Sequence, residues 1–368
     1  MEKNMLDYIR ETHNTLVENI GRWQELTEEF TRLYLDREGP ITVVATGSSY
    51  NGAVCARPFM ERILKVRVNV LQPFTYLHYD ELPELDGFTV VVSQSGESTN
   101  AIEALQEAKK RTGTGIGITG CLDSAMARMA DAAIEYGVVE ESVGWVTKGV
   151  LTLDLFFKLC ALRIAEKQGR LTPEETGKWL DQMRKAAECY PAAETAAMAF
   201  LERHAKLFTS MEHAYIMGAG PTYGIALEGA LKLGETVRMP TFAYEMEEFL
   251  HGPNYQLSPA HTTFLVDADP GTHRRVMEIG EACACVTDRV FLISSLADDG
   301  EDGALAGHIL RVPADVDPYL SSFVLLPCFQ LFSYELAEQL HRWERHPLFA
   351  PFRIKCGSKT PEYLENNN

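Results

Sequence analysis

Short β-branched runs bounded by Gly or Pro recur along this chain, and their placement restricts its fold more than any other feature. They stand at ITVVATG from 41, VRVNVLQP from 66, FTVVVSQSG from 88 and GIGITG from 115, most leading into helix-like sequence such as Ala53 to Leu64 and Asn100 to Arg111. Continuous apolar strands alternating with helices predict a parallel sheet, because crossovers between parallel strands are helical and cover both faces. The texture returns at AYIMGAG from 214, TFLVDAD from 263, RVFLISS from 289 and HILRVP from 308. Moreover, TVVATGSSYNGAVCARPFMERIL matches AYIMGAGPTYGIALEGALKLGET in character: strand, Gly-rich turn, then a helix beginning near a Tyr. The next segments correspond too, VNVLQPFTYLHYDELP with MPTFAYEMEEFLHGP. This predicts a duplicated α/β domain of about 120 residues, a period too long for a solenoid.

The chain accordingly divides into a helical segment 1–38, a first α/β domain 39–166, a helical connector 167–212, a second domain 213–345 and a tail 346–368. In the first segment Leu6, Ile9, Leu16, Ile20, Trp23 and Leu26 fall near helical spacing. An apolar helix over Val150 to Glu166 closes the first domain, and another, from Pro318 to Arg345, closes the second. The connector opens on LTPEET, where Thr172 and Glu175 predict a capping box.

Composition narrows the function. With a net charge of −18 over 368 residues and no Lys/Arg cluster to offset it on a phosphate backbone, nucleic acid is disfavoured as a partner. A small anion is still allowed, since charge beyond ~8–10 Å is largely screened and helix N-termini bind phosphate without lysines. The polar N-terminus MEKNMLDYIRETHNTL lacks a signal-peptide core and no run approaches the ~18 apolar residues of a membrane span. A soluble, cytoplasmic protein with no membrane partner is the expectation. Of the eight cysteines only Cys283 and Cys285 lie close together, a weak metal signal, so buried reduced thiols and no metal are expected. Gly218, Gly220 and Gly224 miss the G-x-G-x-x-G spacing and no G-x-x-x-x-G-K-[ST] loop occurs, which argues against a nucleotide.

Two stretches carry candidate chemistry. The first copy has small hydroxyl residues directly between strand and helix, at Gly47, Ser48, Ser49 and at Ser93, Gln94, Ser95, Gly96, Ser98, Thr99. Such loops lie at the C-terminal edge of an open parallel sheet, where backbone N–H groups and hydroxyls suit a phosphate; the serines of one loop could as well only cap its helix, but two such loops in one sheet favour a shared anion. The second copy has Asp267 and Asp269 where Ser93 and Ser95 would stand, and carboxylates repel phosphate. In Ala226 to Pro253, Glu228, Lys232 and Glu235 stand at i, i+4 and i+7 on one helix face. That face is either a solvated stripe with an i,i+4 ion pair or a catalytic cluster.

TGSSYNGA, SQSGEST, ALEGALKLGE and EFLHGP, in this order across a tandem α/β repeat, resemble the sugar isomerase (SIS) proteins over about residues 40–345. Within them the chain is similar to fructosamine-6-phosphate deglycases and to the isomerase half of glucosamine-6-phosphate synthase. The resemblance implies two flavodoxin-like domains in a homodimer or higher homo-oligomer with active sites at the subunit interface. It implies that Ser48, Ser49, Ser93, Gln94, Ser95 and Ser98, with Gly47, hold the 6-phosphate of a hexose or ketosamine. It makes Glu235 the catalytic glutamate and His251, donated by a neighbouring subunit, the group for ring opening or proton transfer, with Glu228 and Lys232 beside them. Glu141 to Lys148, ESVGWVTK, resembles a sugar-contacting loop that includes Thr147, with Trp145 and Val146 in place of the usual Ala-Ser pair. The synthase tail supplies a Schiff-base lysine, for which Lys355 and Lys359 are the candidates here. Because the chain starts Met1-Glu2-Lys3 and enters the similarity by residue 40, no glutamine-hydrolysing domain and no glutamine-dependent synthesis are expected.

The expected activity is therefore proton transfer between C1 and C2 of a ketose or ketosamine 6-phosphate without a cofactor, as a fructosamine-6-phosphate deglycase releasing aldose 6-phosphate and a free amine. An aldose–ketose or amino-sugar phosphate isomerase or deaminase is the alternative enzyme, and a non-catalytic sugar-phosphate sensor the alternative of another class.

Overall fold

Among the described residues, ten strands form two parallel sheets with helices packed against them. The computed structural model describes residues 3–81, 87–139, 141–298, 300 and 302–366, so the Leu82-Pro83 end of the first-copy segment compared above lies outside the described residues. The chain forms two units. The first-copy unit comprises Glu18–Ser142, Lys148–Gly177 and the chain from Arg345 onward; the second-copy unit comprises the chain up to Val17, Val143–Thr147 and Lys178–Glu344.

In the first-copy unit, β1 (Ile41–Val44), β2 (Val68–Leu71), β3 (Phe88–Val92), β4 (Ile116–Thr119) and β5 (Ala132–Glu135) pair in the order β2-β1-β3-β4-β5. All neighbours are parallel, with Ile41 opposite both Val68 and Phe88. In the second-copy unit, β6 (Ala214–Gly218), β7 (Thr241–Glu245), β8 (Thr262–Asp267), β9 (Val290–Ser294) and β10 (Ile309–Arg311) repeat the arrangement as β10-β9-β8-β6-β7, again parallel. The inner strands β1, β3, β4, β6, β8 and β9 are buried along their whole length, as a sheet covered on both faces demands. Strands β5 and β7 are absent from the sequence reading, which names no strand over Ala132–Glu135 or Thr241–Glu245. Both are outer strands of mostly half-buried residues, so neither carries the continuous apolar run that marks an inner strand.

Each unit has a helix apolar on nearly all sides. Lys148–Lys167 packs on Ser48–Leu64 in the first, and Ser322–Gln339 packs on Tyr223–Lys232 in the second. Glycines permit both approaches: a Cβ on Gly52 would lie 2.8 Å from the Val150 carbonyl oxygen, and one on Gly229 would lie 2.9 Å from the Phe329 ring. The helix Lys148–Lys167 also buries a complete ion pair, Lys158 Nζ 2.8 Å from Asp154 with neither side chain exposed. Pro318 starts a short 3-10 turn, Pro318–Leu320, ahead of Ser322–Gln339. Together these residues are long and apolar enough to cross a membrane, but they lie almost wholly buried within the second-copy unit. The N-terminal pattern forms helices Met5–Gly21, Trp23–Leu26 and Glu28–Leu35, with Ile9, Leu16, Ile20, Trp23 and Leu26 buried and Leu6 half-buried. The capping box forms, Thr172 N–H donating to Glu175 (2.8 Å) and Glu175 N–H to the Thr172 hydroxyl (3.2 Å).

Strand order fixes where each unit can bind. From β1 the chain crosses to β2 on one side, and from β3 to β4 on the other, so a crevice opens beyond the C-terminal ends of β1 and β3. The equivalent crevice of the second sheet lies between β6 and β8.

Candidate active site

The serine loops are the two that flank the crevice of the first sheet. After β1, Gly47 takes φ +59°, ψ −137°, a conformation open to glycine, and caps the helix Ser48–Leu64 with its backbone alone. Ser48 and Ser49 occupy its first turn and are buried. After β3, Ser93 is buried and Gly96 turns the chain at φ +65°; a Cβ there would meet the Ser124 hydroxyl at 1.9 Å. Ser98 precedes the helix Thr99–Thr112, yet its hydroxyl makes no capping bond. The capping explanation thus fails at both loops: the N-cap positions are Gly47 and Ser98, and neither caps through a side chain.

Gln94 is held from both sides. Its amide donates to Glu141 (2.7 Å), while Glu141 also accepts the Lys148 and Gly149 N–H groups, each at 3.0 Å, at the start of the helix Lys148–Lys167. The Gln94 amide fills the space beside Gly149, where a Cβ would lie 1.9 Å from its oxygen. The Gln94 carbonyl accepts Gly120 N–H (2.9 Å) and the Thr119 hydroxyl (3.1 Å), tying the loop to the end of β4.

The tail completes this loop. Lys359 Nζ donates to the hydroxyls of Ser95 (2.8 Å) and Ser98 (3.0 Å). Lys355, the tail lysine singled out first, stands exposed on the helix Phe349–Cys356.

In the second-copy unit the charged face is a buried cluster. Glu228 and Lys232 have no exposed side-chain surface, and Lys232 Nζ lies 3.3 Å from Glu228 and bonds Glu235 as well, whose side chain is 29% exposed. Burial pushes the Lys232 ammonium down, but Glu228 and Glu235 outweigh it and hold its pKa above the ordinary lysine value. Glu235 sits in a π turn, Leu233–Val237, that replaces the α-helix after Lys232. Such turns widen a helix locally, and this one is anchored by the Thr236 hydroxyl, which donates to the Lys232 (2.8 Å) and Ser333 (3.2 Å) carbonyls. The left-handed Arg238 ends the turn, and its guanidinium donates to the Trp343 carbonyl at 2.8 Å.

His251 is exposed at the end of the 3-10 turn Glu248–Leu250, and among the described residues no hydrogen bond joins it to Glu235. In the ESVGWVTK loop, Trp145 packs against Trp343 with ring centroids 4.9 Å apart and the planes tilted by 56°. Thr147 is buried, its hydroxyl donating to the Trp145 carbonyl (2.8 Å) and its own carbonyl accepting from Gln330 (2.8 Å), so it locks this loop. At the second sheet's crevice, buried Asp267 lies 2.6 Å from His273 Nδ1, and Asp269 accepts the Gly271 N–H at 2.9 Å. Those carboxylates fix their own loop.

Sequence reasoning left three elements of these sites unassigned: the π turn, the bridging role of Glu141 and the return of Lys359. A hydroxyl-rich loop containing Glu97 but no Lys or Arg is the one sequence signal for a cation from elsewhere in the chain.

Known proteins share the sequence pattern and the fold of this chain. The chain aligns with the isomerizing glutamine–fructose-6-phosphate aminotransferase of Aeropyrum pernix at 28% identity, covering 81% of the chain and 48% of that protein. It spans about half the length of the curated relatives it matches. A candidate phosphosugar isomerase from Clostridium difficile 630 superposes with a TM-score of 0.86 at 25% identity, covering 98% of this chain and 99% of that one. The C-terminal domain of glucosamine-fructose-6-phosphate aminotransferase from Francisella tularensis shares the fold, with a TM-score of 0.82 at 22% identity over 91% of this chain and 95% of that one. The SIS domain model matches residues 34–157 and 207–295, more than half of the sequence and one segment in each copy, and the chain therefore belongs to the SIS domain family as a tandem repeat.

Proposed function

We propose that this protein is a phosphosugar enzyme that moves a proton between C1 and C2 of a ketosamine 6-phosphate, and that it acts as a fructosamine-6-phosphate deglycase. The observation that carries this reading is the Glu228–Lys232–Glu235 cluster, in which two charges are fully buried and one carboxylate stays reachable. A solvated stripe would not bury Lys232 between two acids, and burial of paired charge is costly enough to need a reason. In the reaction Glu235 takes the C1 proton of the open-chain ketosamine to give an enolamine, and returns a proton to C2. The resulting aldose imine adds water and splits its C–N bond, giving an aldose 6-phosphate and the free amine. His251 assists ring opening at a second subunit's site, and the serine loops hold the 6-phosphate so that its binding energy positions C1 and C2. Exposed Phe242 and Tyr255, on the same unit as His251, suit burial against a second copy.

Plain aldose–ketose isomerisation uses the same proton transfer and is the second reading, favoured by the isomerizing relatives. Incubation with fructose 6-phosphate, glucosamine 6-phosphate and several fructosamine 6-phosphates, with products followed by mass spectrometry, separates them. Amine release from fructosamine 6-phosphates supports deglycation, interconversion of hexose phosphates alone supports isomerisation, and tight binding without any product overturns both in favour of a sensor. On the substrate so identified, Glu235→Gln should lower kcat by about 10²–10⁴ with binding retained; full turnover would remove Glu235 from the mechanism.

A further inference from the structure

We propose that Lys359 is the cation of the phosphate site, delivered to the serine loop by the chain's own C-terminal segment Gly357–Thr360. The inference rests on the phosphate reading of that loop and adds a residue to it. The loops themselves, Ala45–Asn51 and Ser93–Asn100, contain no Lys or Arg and one acid, Glu97, in a protein of net charge −18. A phosphate monoester carries about −1.5 to −2 at neutral pH, so hydroxyls and helix N-termini would otherwise receive it without a full positive charge. Lys359 supplies that charge at the two hydroxyls involved, 2.8 Å from Ser95 and 3.0 Å from Ser98.

Its placement is fixed through the backbone rather than by the side chain alone. Residue 359 pairs with Ser98 as an antiparallel bridge. The Thr99 hydroxyl donates to the Gly357 carbonyl (2.7 Å) and the Thr360 N–H to the Glu97 carbonyl (3.0 Å). Glu97, the acid that would repel a phosphate, is engaged by the same segment: one carboxylate oxygen accepts the Thr360 hydroxyl and the other the Ala125 N–H at 2.9 Å. The ammonium is half-buried, 5.3 Å from the centre of the Tyr363 ring, and an ammonium has three N–H donors that can turn from hydroxyl to phosphate oxygen. The role differs from that of a Schiff-base lysine, which must reach the carbonyl carbon of the sugar.

The test compares wild type with Lys359→Met, Lys359→Arg and Ser95→Ala/Ser98→Ala by calorimetric titration with inorganic phosphate, fructose 6-phosphate and unphosphorylated fructose. A charge-assisted bond to phosphate corresponds to about a ten- to hundredfold change in Kd, so Lys359→Met should weaken both phosphate ligands by that factor and Lys359→Arg by only a few-fold. Any affinity for fructose should not change, and thermal midpoints should match wild type, since the backbone stitching survives. Phosphate affinity within twofold of wild type in Lys359→Met, with the serine variant weakened, overturns the lysine inference and leaves the loop reading standing. Unchanged affinity in both variants overturns both. Borohydride trapping of fructose 6-phosphate on wild type that disappears in Lys359→Met, with phosphate affinity intact, reassigns Lys359 to covalent chemistry and likewise overturns the proposal.

Discussion

Replacing Lys232 by Met tests whether the charged cluster is built as described. The methionine keeps much of the stem's volume but removes a cation lying 3.3 Å from Glu228 and bonded to Glu235, in a place with no exposed surface at Glu228 or Lys232. At 3.3 Å an effective dielectric of about 20 corresponds to about 5 kcal/mol of attraction for one pair. Breaking a buried pair by deleting one partner costs about 3–5 kcal/mol, because the other charge is left in apolar surroundings, and that is the expected loss at pH 7. The pH dependence has a definite sign. In the wild type, Lys232 has a raised pKa, so its stabilisation is complete below the unfolded value of about 10.5 and is lost only as pH rises through the folded value. In the variant, Glu228 loses the Lys232 ammonium and burial then favours its neutral form, so the deficit should shrink as pH falls toward about 4 and grow above it. Glu228→Gln added to Lys232→Met should recover most of the loss. Urea unfolding followed by tryptophan fluorescence is the assay, since three of the four tryptophans, Trp145, Trp179 and Trp343, lie in the same unit as Lys232. A deficit below about 1 kcal/mol that does not vary with pH, and is not relieved in the double variant, would refute a buried, paired Lys232.

Two glycines give complementary predictions. Gly149→Ala should weaken phosphosugar binding by displacing the Gln94 amide, whose oxygen lies 1.9 Å from the added Cβ, and should lower stability slightly, because losing the amide's bond to the Glu141 carboxylate (about 1.5–3 kcal/mol) outweighs the gain of about 1 kcal/mol from a helical alanine; titration and thermal melting together check both halves. Gly52→Ala should lower stability by about 1–3 kcal/mol in urea unfolding, since the added Cβ meets the Val150 backbone carbonyl at 2.8 Å and backbone cannot turn aside as a side chain can.

The duplication, the parallel sheets and the inner strands are legible in the sequence because strands buried on both faces must be apolar throughout, and FTVVV, AYIMG and VFLIS satisfy that locally. Even the reuse of a left-handed glycine after the first strand of each copy, Gly47 at φ +59° and Gly220 at φ +52°, follows from matched turn sequences. Outer strands are less legible: TFAYE becomes β7 because β6 offers it an edge, and nothing in its own pattern requires this. The candidate site divides in the same way. Spacing alone puts Glu228, Lys232 and Glu235 on one face, and a hydroxyl-rich loop after a strand marks Ser93 to Ser98, but each pattern allows an ordinary explanation. Whether a charged face meets water or core depends on what packs over it, and Tyr223–Lys232 packs against Ser322–Gln339, about 100 residues further along the chain. Whether Ser98 caps a helix or receives an ammonium depends on Lys359, whose bond to it spans 261 residues of sequence. The periodicity of the chain determined its elements and candidate residues, since these follow from the geometry of neighbouring residues. Burial, pairing and which tail lysine meets the serine loop were decided by tertiary structure, because they depend on contacts between residues far apart in the chain.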